Sequence, residues 1–334
     1  MSVGERIWRS RTQSYVRLFA PRIGVSQRGC SRRLERVLSD FGCEDSFARA
    51  SQRVAEHYGF EINATALRQA TLKSAARAQE QLEQQYQQSY RSLPADGPEF
   101  VIAQVDGSMI CTVESAKRKA KRPRACKEMR LTVAQAHEST QSCYGATFGS
   151  VDEVGRRWGH CARAAGRGLN TQVHALGDGA EWIAIQCQEV FGQKGQFLCD
   201  FYHVSEYVAA AAQSSGAKSP ERWRRTQQSR LRSGKSSKVI KELEKNLEPP
   251  TVADEQAPVR CAHRYLSNRT EALDYPGALE QGLPIGSGLI ESGHRHVLQA
   301  RLKKSGAAWL VENAERLAQL RVLRTNGQWE SIWN

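Results

Sequence analysis

Apolar positions change their spacing twice along the chain. From Ser31, the residues Leu34, Val37 and Leu38 recur three and four apart and predict a helix ending at Phe41–Gly42. From Ser46, the set Phe47, Ala50, Val54 and Ala55 predicts a second helix closed by Tyr58–Gly59. Asn63 is a suitable N-cap for a third, through Thr65, Leu67, Ala70 and Leu72. That helix runs on into the Gln-rich stretch 79–88 and stops at the Pro/Gly-containing linker 93–98. Helix, Gly turn, helix is helix-turn-helix spacing, with the third helix as the candidate reader of DNA.

Beyond the linker the pattern becomes strand-like. Phe100–Val105 is a continuous apolar run of the kind a buried central strand shows, and it delivers Asp106. Leu131–Ala136 and Cys143–Phe148 predict two further strands of an antiparallel meander, followed by a helix over 151–165. Thr171–Leu176 predicts a strand ending at Asp178; a helix over 180–191 carries Trp182, Ile183, Ile185 and Val190; Gln196–Asp200 predicts the fifth strand, with a helix after it. Three strands, helix, strand, helix, strand, helix is the order of an RNase H-like fold. The expected class is therefore α/β: an RNase H-like mixed sheet with a helical N-terminal domain and a helical insertion. The boundaries that follow are a basic flexible arm over 1–29, a helical DNA-binding domain over 30–98, the first part of the catalytic core over 99–204, a basic helical insertion over 205–283, and the C-terminal helices of the core over 284–334.

Charge narrows the class of partner. The 334 residues carry a net charge of +13, which suits a polyanion whose condensed counterions Lys and Arg release. Nine scattered cysteines with no Cys-x-x-Cys pair argue against a zinc ribbon or a disulfide framework and predict reduced thiols in the cytoplasm; with a DNA partner, the expected location is nucleoid-associated. No apolar run approaches the length of a membrane span, and the basic N-terminus lacks the apolar core of an export signal, so no membrane partner is expected.

Within so basic a chain, three carboxylates stand out: Asp106 in Val-Asp-Gly, Asp178 in Gly-Asp-Gly, and Glu291 in Gly-Ser-Gly-Leu-Ile-Glu. Each has an ordinary reading. Asp106–Gly107 suits a hairpin turn, Asp178 an N-cap, and Glu291 a first-turn charge behind Ser287. Together, in that strand order, they predict a shared site for divalent metal and phosphoryl transfer on nucleic acid. Trp182 and Tyr202 read as core aromatics, and Asp200 with His203 as a hydrogen-bonded pair near Asp178.

The runs Val105–Met109, Gly177–Ile183, Cys199–Val204 and Pro284–Ser292, with the tail Arg301–Trp309 and then Leu320–Arg321, resemble bacterial insertion-sequence transposases of the DDE type, in particular the ISKra-type group. The likeness extends from about Ser31 onward. It implies DNA cleavage and strand transfer, a catalytic and metal-binding triad at Asp106, Asp178 and Glu291, and supporting roles for Asp200 and His203. The implied cofactor is Mg²⁺, two ions, with Mn²⁺ able to substitute. The implied partners are double-stranded DNA, as element ends and target, and further copies of the chain assembled on it. Expected DNA contacts are Lys117, Arg118, Lys119, Lys121, Arg122 and Arg124 in the connection between the first two strands, and Arg295, Arg301, Lys303 and Lys304 near the end. The basic segment 218–245 is expected to clamp DNA as well. Two other readings compete: a metal-dependent nuclease of RNase H-like fold without strand transfer, and a non-catalytic DNA-binding protein derived from a transposase.

Overall fold

The computed structural model describes residues 8–12, 15–16, 22, 30–88, 92–114 and 123–333. These divide into two compact units, one comprising Met1–Gln84, Ile110–Lys127 and His296–Asn334, the other Gln85–Met109 and Glu128–Arg295. Most of the expected arm, and the basic residues Lys117, Arg118, Lys119, Lys121 and Arg122, lie outside the described residues.

In the first unit, a two-residue ladder of β1 (Trp8–Arg9) and β2 (Tyr15–Val16) precedes the helices α1 (Arg32–Glu44), α2 (Phe47–Tyr58) and α3 (Ala64–Gln88). Ser31 and Ser46 cap α1 and α2, and the Asn63 side chain accepts from the Ala66 amide at 2.7 Å, as their residue types require. Leu38, Ala50, Val54 and Leu67 close one small core. One expectation fails: α1 does not end at Gly42. That glycine is a packing residue, because a Cβ there would fall on the Thr71 side chain of α3. The C-terminal carbonyls of α1 are then satisfied from the chain's last segment, where Arg301 Nε donates to Gly42 O at 3.0 Å and Arg321 Nη1 to Cys43 O at 2.7 Å. Arg301, expected on DNA, is only 2% exposed and lies between the rings of Phe47 and Trp309, 4.6 and 4.8 Å from their centres.

The second unit is built on a five-stranded mixed sheet, of which residues 110–113 and 124–127 belong to the first unit. Its strands β3 (Phe100–Val113), β4 (Arg124–Ala136), β5 (Ser142–Thr147), β6 (Gln172–Gly177) and β7 (Gly195–Cys199) lie in the order β5-β4-β3-β6-β7. β4 and β5 are antiparallel, whereas β3, β6 and β7 run parallel. The apolar run of β3 is buried on both faces: Val101, Ala103 and Val105 belong to one core cluster with α4 (Val151–Ala164) and α5 (Glu181–Phe191), and Ile102 to the other. That other cluster gathers α6 (Phe201–Ala212), α7 (Pro220–Arg232), α8 (Ser236–Glu244), α9 (Pro258–Ser267) and α10 (Tyr275–Glu280). The chain is thus a mixed α/β protein with many helices, as read at the coarse level.

Two strands are longer than expected. β3 continues through Asp106 and Gly107 to Val113, so no hairpin turn forms there. β4 begins at Arg124, which puts Arg124, Lys127 and Arg130 in a strand and not in the connection before it. Arg130 is also taken up internally, lying 5.1 Å from the Trp182 ring centre and donating to Gly149 O. Among the described residues no helix is long and apolar enough to cross a membrane.

Candidate active site at the ends of the parallel strands

The parallel register pairs Gln104 with Leu176 and Gly177 with Cys199. Continued along the strands, it sets Asp106 level with Asp178, and Asp178 level with Asp200, whose amide donates to Gly177 O at 2.8 Å. Three aspartates therefore stand in a row, Asp178 and Asp200 just past the C-terminal ends of β6 and β7 and Asp106 level with them within the longer β3. Alternation puts Asp106 on the face of Ile102 and Asp178 on the face of Leu176, and both of those belong to the same core cluster. β3 and β6 are also where the strand order reverses, the crevice in which open α/β sheets bind their ligands.

Glu291 lies on the short helix α11 (Gly288–Gly293), which passes directly into a π-helical stretch, His294–Gln299. The segment before it is stitched down from below. His174 Nε2 lies 2.8 Å from Pro284 O and donates to it; Phe201 N donates to Ile285 O at 2.8 Å; Asp200 Oδ2 accepts from Ser287 N at 2.6 Å. Gln104 closes the set, its amide nitrogen 3.4 Å from Gly286 O and its oxygen accepting from Ile290 N at 2.9 Å. Two glycines allow the close approach. A Cβ on Gly286 would meet the Tyr202 ring at 2.5 Å, and one on Gly293 the Tyr144 ring at 2.6 Å. Burial holds the His174 imidazole below its usual range, which keeps it neutral against the Pro284 carbonyl.

One turn beyond Glu291, His294 is 4% exposed with its Nε2 3.3 Å from Asp106 Oδ2. The approach is too oblique for a hydrogen bond, and neither ring nitrogen has a hydrogen-bond partner among the described residues. A buried imidazole with both nitrogens unpartnered, one of them beside a half-buried carboxylate, is an uncommon arrangement. Asp178 and Glu291 are exposed, and Asp178 Oδ1 accepts from Ala180 N at 2.9 Å, so this carboxylate braces its own turn without being the helix N-cap. All three donors are hard oxygens of the kind Mg²⁺ takes. Among the described residues no three His, Cys, Asp or Glu side chains crowd closely enough to enclose an ion. Mg²⁺ commonly uses one or two carboxylates and completes its shell with water and substrate phosphate, so the donor set fits a site closed by substrate.

Asp200 and His203 take different places from those expected. Asp200 is buried and caps α6, accepting from the amides of Tyr202 and His203. It meets the His203 backbone and not its ring, which instead faces Glu206 at 3.6 Å and the edges of Tyr207 and Tyr265. Tyr202 is no core aromatic: it is 60% exposed and covers Gly286. Arg295 and Lys303 are exposed, as is Arg124, and Lys304 pairs with Asp45 at 3.7 Å. His294 and Gln104 were missed in the sequence. Their signals were a histidine three residues after Glu291 and a lone polar residue within the apolar run of β3.

Residues 168–332 match a family described as an uncharacterised protein family, UPF0236. Two similar proteins, both named UPF0236 proteins and both from Caldanaerobacter subterraneus subsp. tengcongensis, are 26% and 29% identical over 157 residues, 47% of this chain and 31% and 32% of theirs. The chain thus spans about a third of the length of the curated relatives it matches. A further relative, 28% identical, bears a name that joins eleven serial designations from that one organism. The family match contains Asp178, Asp200, His203 and Glu291 and stops short of Asp106.

Proposed function

We propose that the chain is a DDE-type transposase that cleaves DNA at the ends of its element and joins them to target DNA, using Asp106, Asp178 and Glu291. The observation that carries this reading is the level pair Asp106 and Asp178 at the strand-order reversal, with Glu291 on a helix whose next turn brings His294 against Asp106. The strand order, with the first strand central and the next two on one side of it, supports an RNase H-like core. A relative whose name joins many designations from one organism fits a protein encoded at many loci, the mark of a self-copying element.

Asp106, Asp178 and Glu291 would hold Mg²⁺, which supplies activation of a water or 3′-hydroxyl and stabilisation of the leaving oxygen. The chain's own residues do the rest. Gln104, His174 and Asp200 fix the Pro284–Ile290 segment and so aim Glu291. His294 borders Asp106 and excludes water from one side of its carboxylate. Arg124, Arg295 and Lys303 are exposed cations available to phosphate, together with Arg222 of α7 and Lys238 and Lys241 of α8; Arg301 is not.

The test is incubation of the purified protein with DNA carrying its own gene's flanks and a target plasmid, with and without Mg²⁺. Joined products that need Mg²⁺ are expected. Nicked ends without joined products would favour a nuclease, and binding without any cleavage a DNA-binding derivative.

A further inference from the structure

The turn that carries Asp178 is held by residues about ninety positions further on, in the segment read as an insertion. Tyr265, near the end of α9, donates its hydroxyl to the carbonyl of Asp178 at 2.6 Å. Arg269, one turn on, donates through Nε to the carbonyl of Gly179 and through Nη1 to Tyr265 O at 3.1 Å. Its guanidinium lies 4.2 Å from the centre of the Tyr265 ring, which stacks on Tyr207 of α6 at 4.1 Å. Gly179 has φ of 82°, and a Cβ there would collide with the Tyr265 hydroxyl and press on Arg269. The fit between turn and helix therefore requires glycine twice over, for its backbone angle and for its missing side chain. Tyr265 is buried, and burial pushes its phenol far above the usual range, so the hydroxyl remains a donor at any working pH.

Two consecutive carbonyls gripped by two ordered side chains fix the plane of the peptide after Asp178, and with it the direction in which its carboxylate leaves the strand. We infer that Tyr265 and Arg269 are positioning residues for the Asp178 carboxylate, and that α9 is part of the catalytic machinery as well as of the basic segment around it. This rests on the reading of Asp178 as a metal-holding carboxylate. Groups that orient a ligand without touching the metal typically change metal affinity by about 10- to 100-fold when removed. Tyr265→Phe deletes one hydroxyl and keeps the stack on Tyr207, and Arg269→Lys keeps the charge and loses the fork. The two side chains touch each other, so their effects are not expected to add.

The full chain, in parent form and as Tyr265→Phe, Arg269→Lys, the double variant and Asp178→Ala, is titrated with Mn²⁺ by calorimetry, and amide exchange is followed over residues 177–181 without metal. The double variant is expected to bind Mn²⁺ roughly 10-fold or more weakly, approaching Asp178→Ala, while its turn amides exchange faster and its melting temperature stays near the parent's. Its cleavage should recover as metal is raised, which a merely misfolded variant would not do. Unchanged Mn²⁺ affinity with unchanged exchange at the turn overturns the inference. A parent that binds no Mn²⁺ either alone or in complex with DNA of its element's ends overturns the metal reading of Asp178 itself, and the exchange data then still decide, separately, whether α9 holds the turn.

Discussion

Asp200 is the residue on which the two halves of the site meet: one oxygen caps α6 and the other anchors the Ser287 amide of the segment leading to Glu291. Asp200→Ala should therefore lower stability by about 2–3 kcal/mol, more than a surface cap costs, because three part-buried amides on two segments lose one buried acceptor. Denaturant unfolding checks this, and a change within about 0.5 kcal/mol, the range of an ordinary surface substitution, would remove Asp200 from that role. His174 adds a pH dependence. Its folded pKa is depressed by burial, so between the folded and unfolded values the unfolded chain binds more protons, and stability is present above about pH 6.5 and lost as pH falls through that range. Unfolding midpoints of the parent should drop below about pH 6.5, and His174→Gln should drop less over that window. The acidic residues were legible in sequence because each ends an apolar run or opens a helix. His294 and Gln104 were not, because a lone histidine or glutamine takes its meaning from a partner nearly two hundred residues away.

At the level of elements, periodicity located the three N-terminal helices and the strands and helices from β3 to α6, whereas the helices beyond α6 were read only as helical segments without bounds; the departures within the located part have physical causes. Residues 124–128 of β4 are all exposed, with no buried face to alternate against, so hydrogen bonding to a neighbouring strand is what makes them a strand. α1 outruns Gly42 because the glycine serves packing on Thr71 and because buried arginines, absent from any local pattern, satisfy the helix end. The grip of α9 on the Asp178 turn left no trace in local sequence at all. In α3, Arg68 and Gln69 are exposed on the helix proposed to read DNA. Replacing both by Ala should weaken binding to element ends by about 1–3 kcal/mol per lost base contact while leaving random DNA nearly unaffected. Equal losses on both DNAs, in parallel gel-shift titrations, would assign α3 to packing.

For the molecule as a whole, the two compact units do not follow the order of the chain: the last segment, with Arg301 and Arg321, completes the unit of the N-terminal helices. The charge of +13 is a property of the whole surface, and its effect is read by salt. Lys235, Lys238 and Lys241 are exposed on and beside α8. Changing all three to Gln should flatten the slope of log affinity against log salt by roughly two to three units if each touches a phosphate, with sequence preference unchanged. An unaltered slope would leave them as a solvated face. The most direct measurement is cleavage and DNA affinity, taken on the same preparations, for the parent and for Asp106→Ala, Asp178→Ala and Glu291→Ala at saturating Mg²⁺. If the three carboxylates form one metal site, each variant loses cleavage by several orders of magnitude and keeps the parent's affinity for element ends; substantial cleavage by any one of them would contradict the site.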